Sequence, residues 1–239
     1  MRHSLTTKLI GLVFLYPLLM NSVLSKNIEN SLLSNQLEES LNQGKDDLLK
    51  DLFLQKSFNQ FNKNNKAFKK KYKDAKWSIT TIRNEPNKLF LDIKITSTRA
   101  IGDHIYNLYS KQIVKIETFK NKIKRYEIID EESILKSQNS PLIVKVISPN
   151  KVLTGEKYEI NLIIESPLDN SLTAKGIIIL NNKNNTNIST DLFGIKPNQS
   201  GGLFKYIQAP LEPGSQTISA IIAHPEGIYS VTKRIKVNL

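Results

Sequence analysis

Residues 88–95, with the sequence KLFLDIKI, decide the fold of the first half of the chain. Leu, Leu, Ile and Ile occupy the odd-numbered positions there, and the even-numbered positions are charged except for Phe90. A period of two is typical of a β-strand with one buried face. Residues 77–81, WSITT, show the same alternation, and the cluster NEPN at residues 84–87 separates the two runs as a turn. The pattern predicts a β-hairpin.

Helical spacing precedes this hairpin, and further strands follow it. Apolar residues at helical intervals over 28–41 predict an amphipathic helix, and a second helical run extends from residue 46 to about residue 72. The Asn-rich segment 62–65 is expected to interrupt the second run. Two more strands are predicted at 104–119 and 123–129. The order is therefore helices followed by an antiparallel meander.

This order of elements, together with the closing long strand, tight turn and shorter strand at 113–135, resembles the NTF2-like family of curved-sheet cones. The resemblance covers roughly residues 30–136. It implies an α+β domain in which N-terminal helices pack on a curved antiparallel sheet. Members of the family use the cone as a small-molecule pocket, an enzyme site or a docking surface, so the resemblance leaves the function open.

A group of polar and aromatic residues lies on the third predicted strand. In a cone, His104 and Tyr106 would share one face because they are two residues apart. The sequence therefore offers Trp77, His104, Tyr106 and Tyr109 as candidate ligand-binding residues. Ordinary packing is the competing interpretation, since isolated His and Tyr are commonly half-buried. No catalytic pair, metal site or cofactor is predicted, because no histidine has a second ligand at the spacing of a metal pair.

From residue 141 onward the sequence pattern changes. Short alternating apolar runs recur between turn clusters of Pro, Gly and Asn, which is typical of a β-sandwich. The strand count and the Pro-Gly entry to the penultimate strand resemble immunoglobulin-like and fibronectin-like domains. The predicted organisation has four parts: a signal peptide at 1–25, the helix-plus-sheet domain at 26–136, a linker at 137–140, and an all-β immunoglobulin-like sandwich at 141–239.

The N-terminus has the pattern of a targeting segment. Arg2 and Lys8 accompany an uncharged apolar run at residues 9–20, and Val23 and Ser25 occupy the −3 and −1 positions of a signal-peptidase site. The pattern predicts a cleaved signal peptide, with an uncleaved anchor as the alternative. Both place the protein outside the cytoplasm, in the periplasm or thylakoid lumen of a bacterium or at its exterior.

Composition excludes some chemistry and draws attention to one basic segment. The chain has no cysteine, so disulfides, thiolate metal sites and thiol catalysis are excluded. Its formal net charge is +12. A basic run with interleaved aromatic residues suits phosphates or lipid headgroups, but a helix whose aromatic residues face the core carries the same lysines on its solvated face. The lysines of this run are Lys66, Lys69, Lys70, Lys71 and Lys73.

Together these features favour a non-enzymatic binding or assembly module in an extracytoplasmic compartment. Its expected partner is an unidentified protein or membrane complex. A small-molecule-binding or weakly catalytic cone is the first alternative, and a peripheral binder of an anionic membrane surface, acting through the lysine run, is the second. An exported protein seldom meets nucleic acid, so nucleic acid is not expected as a partner. No oligomeric state is predicted.

Overall fold

The computed structural model describes residues 32–166, 171–181, 196–198 and 201–239. The predicted signal peptide at 1–25 lies outside the described residues, so its cleavage and the export of the protein stay predictions. Among the described helices, none is long and apolar enough to cross a membrane.

Three helices open the described part of the chain: α1 (residues 32–43), α2 (Asp46–Leu52) and α3 (Gln55–Lys71). The interruption expected at residues 62–65 is wrong, because α3 is continuous through that segment. Phe61 and Phe68, on either side of it, both pack against the core. Tertiary packing of an apolar helix face outweighs the weak helix propensity of asparagine.

Four long strands follow the helices: β1 (Lys76–Glu85), β2 (Lys88–Ile101), β3 (His104–Phe119) and β4 (Lys122–Ser137). Each pairs antiparallel with the next, so the predicted hairpin and meander are confirmed. The turn between β1 and β2 includes Asn87 at φ 59°, a left-handed conformation that asparagine tolerates better than most residues.

The described residues of the second half of the chain form eight strands. Two of them, β11 (Gly214–His224) and β12 (Gly227–Asn238), form a long hairpin with partners along its whole length. The others are β5 (Val144–Ile147), β6 (Lys151–Leu153), β7 (Lys157–Ile164), β8 (Thr173–Asn181), β9 (Lys196–Asn198) and β10 (Gly202–Gln208).

Two sheets collect these strands. The large sheet has nine strands in the order β1-β2-β3-β4-β12-β11-β8-β9, with β6 paired to β12 in parallel. The small sheet has three strands in the order β10-β7-β5. The large sheet is continuous between the two halves of the chain because β12 pairs antiparallel with β4, from Tyr229 opposite Lys136 to Arg234 opposite Glu131.

The two hydrophobic cores lie on opposite faces of the large sheet. Ser133 of β4 lines a cavity beneath the helices, whereas its neighbour Ile134 packs into the core under the small sheet. Successive side chains of a strand point to opposite faces. The helices therefore cover one face of the first half of the sheet, and the small sheet covers the other face of the second half.

The predicted fold class, an α+β NTF2-like cone followed by an immunoglobulin-like sandwich, is wrong. The described residues are mostly antiparallel β, with 60% strand and 20% helix, in a small three-helix part and one large sheet. The sequence analysis predicts that the fourth strand ends at residue 129, but β4 continues to Ser137. β4 pairs with β3 along one edge and with β12 along the other. Pairing satisfies backbone groups that an open edge would leave exposed. The domain boundaries at 26–136, 137–140 and 141–239 stay predictions.

The shared sheet predicts that damage to the second core is felt in the first half. Ile222 of β11 is fully buried in the second core. Ile222→Ala is expected to cost about 2–5 kcal/mol of unfolding free energy. Unfolding followed by the fluorescence of Trp77, the single tryptophan, should shift with the far-UV circular dichroism. The partly exposed neighbour Ile221 provides the control Ile221→Ala. A Trp77 transition that stays at its wild-type midpoint in Ile222→Ala would contradict the prediction.

Candidate ligand-binding cavity

A cavity of about 400 Å³ lies between the helices and the inner face of β1–β4. It is lined by residues of α1, of α3 and of the sheet. Most of these residues are apolar. The apolar lining residues include Leu37, Leu41, Phe53, Phe61, Phe68, Trp77, Ile93, Ile95, Leu108, Val114 and Ile116.

The sheet side of the cavity follows from strand periodicity. On β3 the even-numbered residues from 108 to 116 line the cavity, and the intervening residues point to the other face of the sheet. On β2, Ile93 and Ile95 do the same. The alternation that predicts the strands therefore also determines which side chains can reach a bound molecule.

Aromatic contacts hold the helices on the sheet around the cavity. The Phe61 ring stacks on Phe53 with 4.7 Å between the ring centroids, and it meets Tyr126 of β4 edge-on at 5.5 Å. Further along α3, Phe68 meets Trp77 of β1 edge-on at 5.7 Å. Such pairs contribute stability beyond their buried area, so α3 is fixed at both ends of the cavity.

Backbone ties anchor the helical layer at the first end of α3. The amide of Leu54 donates a hydrogen bond of 2.9 Å to the carbonyl of Ile123 at the start of β4. Phe53 forms a parallel β-bridge with the same residue. The connection between α2 and α3 is thus attached directly to the sheet.

Asp74, just beyond α3, provides the tie at the other end. Its carboxylate accepts hydrogen bonds from the Ser97 hydroxyl at 2.5 Å and from the backbone amide of Thr98 at 3.0 Å. It also accepts one from the Thr98 hydroxyl at 2.5 Å. These bonds from Ser97 and Thr98 lower the pKa of Asp74 from its ordinary 3.8 to about 2.

Trp77 is the predicted ligand-binding residue that lines this cavity. Its backbone amide and carbonyl both bond to the Asn42 side chain of α1, each at 2.9 Å. Lys69 lies over its ring, with the Nζ atom 5.2 Å from the centroid, and donates to the Leu41 carbonyl at 2.8 Å. Burial lowers the pKa of Lys69, while nearby Asp46 acts in the opposite direction.

The other three predicted residues are not among the lining residues of the cavity. His104 is exposed at the first residue of β3, where it borders a separate small cleft. Tyr106 is buried and stands opposite Arg99 and Ser137 in the sheet. Tyr109 is 57% exposed on the face that points away from the helices. His104 and Tyr106 are two residues apart on β3, so strand periodicity does place them on one face. The first residues of β3 extend past the cavity, however, so neither side chain lines it.

Polar side chains form one wall of the cavity, on β3 and β4. Ser110 and Ser133 are hydrogen-bonded to each other at 2.8 Å. Beside them the Oε1 atom of Glu131 accepts bonds from Ser133 at 3.2 Å and from the Gln112 amide at 3.4 Å. Arg234 of β12 lies 3.7 Å from the other carboxylate oxygen of Glu131. An apolar cavity with a few polar groups on one side can both bury and orient a molecule.

Asn65 of α3 was not predicted as a site residue, and neither were the polar residues of the wall on β3 and β4. Asn65 lines the cavity and is only 7% exposed. Within the described part of the chain, its Nδ2 atom has no hydrogen-bond partner. The sequence does carry a signal, because Phe58, Phe61, Asn65 and Phe68 follow helical spacing and Asn65 interrupts an otherwise aromatic stripe.

The predicted basic run divides into two groups. In the first group, Lys66 forms an ion pair with Asp46 at 3.2 Å, and Lys69 contacts the Trp77 ring and the Leu41 carbonyl. The other lysines are exposed and border an open cleft on the outer side of α3 that also includes Asp74 and Arg99. The members of this second group are Lys70, Lys71 and Lys73.

Across the described residues, no group of three or more His, Cys, Asp or Glu side chains lies close enough to hold a metal ion. Residues 139–238 match a family described as a domain of unknown function, DUF8623. The match covers the second half of the chain and leaves out the helices and the cavity. No curated protein matches the sequence.

The tie at Asp74 predicts a pH-dependent contribution to stability. Because the folded pKa of about 2 lies below the ordinary 3.8, the stabilisation is complete above about pH 4 and is lost as the pH falls through 2. Asp74→Asn should therefore lower the urea midpoint at pH 7 and have little effect at pH 2. Asp103→Asn, at an exposed turn residue, is the control. An equal loss for Asp74→Asn at both pH values would contradict the assignment.

Proposed function

We propose that the protein is a non-enzymatic binding protein that holds a small, largely apolar molecule in the cavity between its helices and its large sheet. The observation that carries the proposal is the cavity itself. Its volume of about 400 Å³ falls within the range of small-molecule sites, which are mostly apolar with a few polar groups. The polar side chains on β3 and β4, together with Asn65 on α3, match that description.

Energetics support an occupant. Burial of apolar surface contributes about 25 cal/mol per Å². A molecule that buries about 100 Å² of apolar surface against this lining would therefore gain about 2.5 kcal/mol. The aromatic contacts of α3 and the ties at Leu54 and Asp74 hold the helices in place, which favours a preformed site.

Location remains part of the proposal. The signal-like N-terminus of the sequence supports a role outside the cytoplasm, in the periplasm or thylakoid lumen or at the cell exterior. Membrane attachment through the lysine run has less support, because Lys66 and Lys69 are engaged within the protein.

The cavity proposal is tested with a neutral fluorescent lipophile and two variants of adjacent residues. Leu108 is buried on the cavity side of β3, and Tyr109 is exposed on the other side. Leu108→Trp should occupy part of the cavity and weaken the binding of N-phenyl-1-naphthylamine by about tenfold or more. Tyr109→Trp, a substitution of comparable size on the same strand, should bind like the wild type.

Thermal unfolding of both variants verifies that they fold. The proposal is contradicted if the wild-type protein does not bind the lipophile, or if the two variants bind it equally well. Equal binding would mean that the lipophile contacts another surface.

Assembly with a protein partner is the second candidate, and the outer face of the small sheet favours it. Phe204 and Tyr206 of β10 are 61% and 73% exposed on this face, and Ile147 of β5 is exposed there as well. Exposed aromatic side chains are enriched where proteins bind one another.

A pull-down of the tagged mature protein from its own membranes and soluble extract tests this candidate. Assembly predicts a stoichiometric protein partner that wild type retains and that Phe204→Ser with Tyr206→Ser loses. A partner that both forms retain equally would place the contact elsewhere. Substitution of Lys157 and Gln208, which are exposed on β7 and β10, to Ser in a second protein controls for a general change of surface polarity.

A further inference from the structure

One residue of the cavity breaks the pattern of its own helix. The core-facing stripe of α3 consists of aromatic residues at helical spacing, and Asn65 stands where the pattern calls for another apolar residue. Asn65 is more than nine-tenths buried and lines the cavity. A leucine at this position would satisfy both the spacing and the burial.

The amide of Asn65 is unsatisfied as well as buried. Within the described residues its Nδ2 atom has no acceptor in the protein. Buried polar groups are hydrogen-bonded in nearly all native structures, and an exception calls for an explanation. A bound molecule that carries an oxygen atom would supply the missing acceptor.

The opposite wall limits the chemistry of that molecule. Glu131 lines the same cavity with a carboxylate, which can only accept hydrogen bonds. A ligand with its own carboxylate would meet a like charge there, and Arg234, which forms an ion pair with Glu131, is not among the residues that line the cavity. A hydroxyl group avoids this repulsion, because it accepts a bond from Asn65 and donates one to an acceptor of the polar wall.

We propose that the cavity selects an apolar alcohol, that is, a hydrocarbon molecule with a neutral hydroxyl group, and that Asn65 recognises the oxygen of that hydroxyl. This inference rests on the proposed binding function and adds the chemical class of the ligand. The apolar lining takes up the hydrocarbon part, and the polar atoms of Asn65 and of the wall on β3 and β4 orient the hydroxyl.

Competition binding tests the assignment with two probes of equal chain length. Decan-1-ol and decanoate are each used to displace N-phenyl-1-naphthylamine, with the fluorescence of Trp77, the single tryptophan and a cavity residue, as an independent signal. The wild type should bind decan-1-ol more tightly than decanoate. Asn65→Leu should lose about tenfold in affinity for decan-1-ol relative to its own affinity for the fluorescent lipophile.

Asn62→Leu provides the matched control, because Asn62 lies one turn earlier on α3 and is not among the residues that line the cavity. It should leave the affinity for decan-1-ol unchanged. Asn65→Leu should also raise the unfolding temperature of the ligand-free protein, since an unsatisfied amide is removed. Asn65→Ala serves the same test if the leucine variant does not fold.

The outcomes separate this inference from the proposed function. Lipophile binding together with unchanged affinity of Asn65→Leu for decan-1-ol would overturn the role of Asn65 and leave the binding function intact. Tighter binding of decanoate than of decan-1-ol by the wild type would overturn the assignment to an alcohol. Absence of lipophile binding would overturn the binding function, and this inference with it.

Discussion

The pairing of β12 with the second edge of β4 is the constraint on which the rest of the structure depends. It joins a helix-covered meander to a second set of strands, so that one nine-stranded sheet serves two cores. Within β4 the register with β3 shifts between Ile128 and Asp130, which leaves Ile129 as an extra residue. Before this bulge the even-numbered Tyr126 and Ile128 face the helices, and after it the odd-numbered residues do.

The same bulge explains why an apolar cavity has one polar wall. It turns Glu131 and Ser133 toward the helices, where Thr232 and Arg234 of β12 stand opposite them in the sheet. Ser133 and Thr232 form a row of polar residues across the strands, and Ser219 of β11 extends it through a hydrogen bond of 2.5 Å to Thr232. These polar rows belong to the face that the small sheet does not cover. The part of the cavity under the helices is therefore lined by apolar residues. The part beside the pairing of β4 with β12 is lined by hydrogen-bonding groups.

Local pattern predicted the positions of most strands, but neither the full length of β4 nor the way the strands combine. The alternation over residues 88–95 and the turn at 84–87 gave the first hairpin, and helical spacing gave α3. The pairing of β4 with β12 joins residues about 100 positions apart, and no local period encodes it. Trp77 was predicted as a site residue, and it lines the cavity. Asn65 was missed because an Asn-rich segment suggested a helix break, although its place in an aromatic stripe was visible in the sequence.

A crystal structure of the protein grown with decan-1-ol would test whether the space beneath α3 is a binding site. Electron density for the alcohol is expected between α3 and the polar wall, with its oxygen within hydrogen-bonding distance of Asn65. Density for the alcohol outside the cavity, or a cavity filled by the side chains of Phe61 and Phe68 with no space for a ligand, would contradict the proposed binding site.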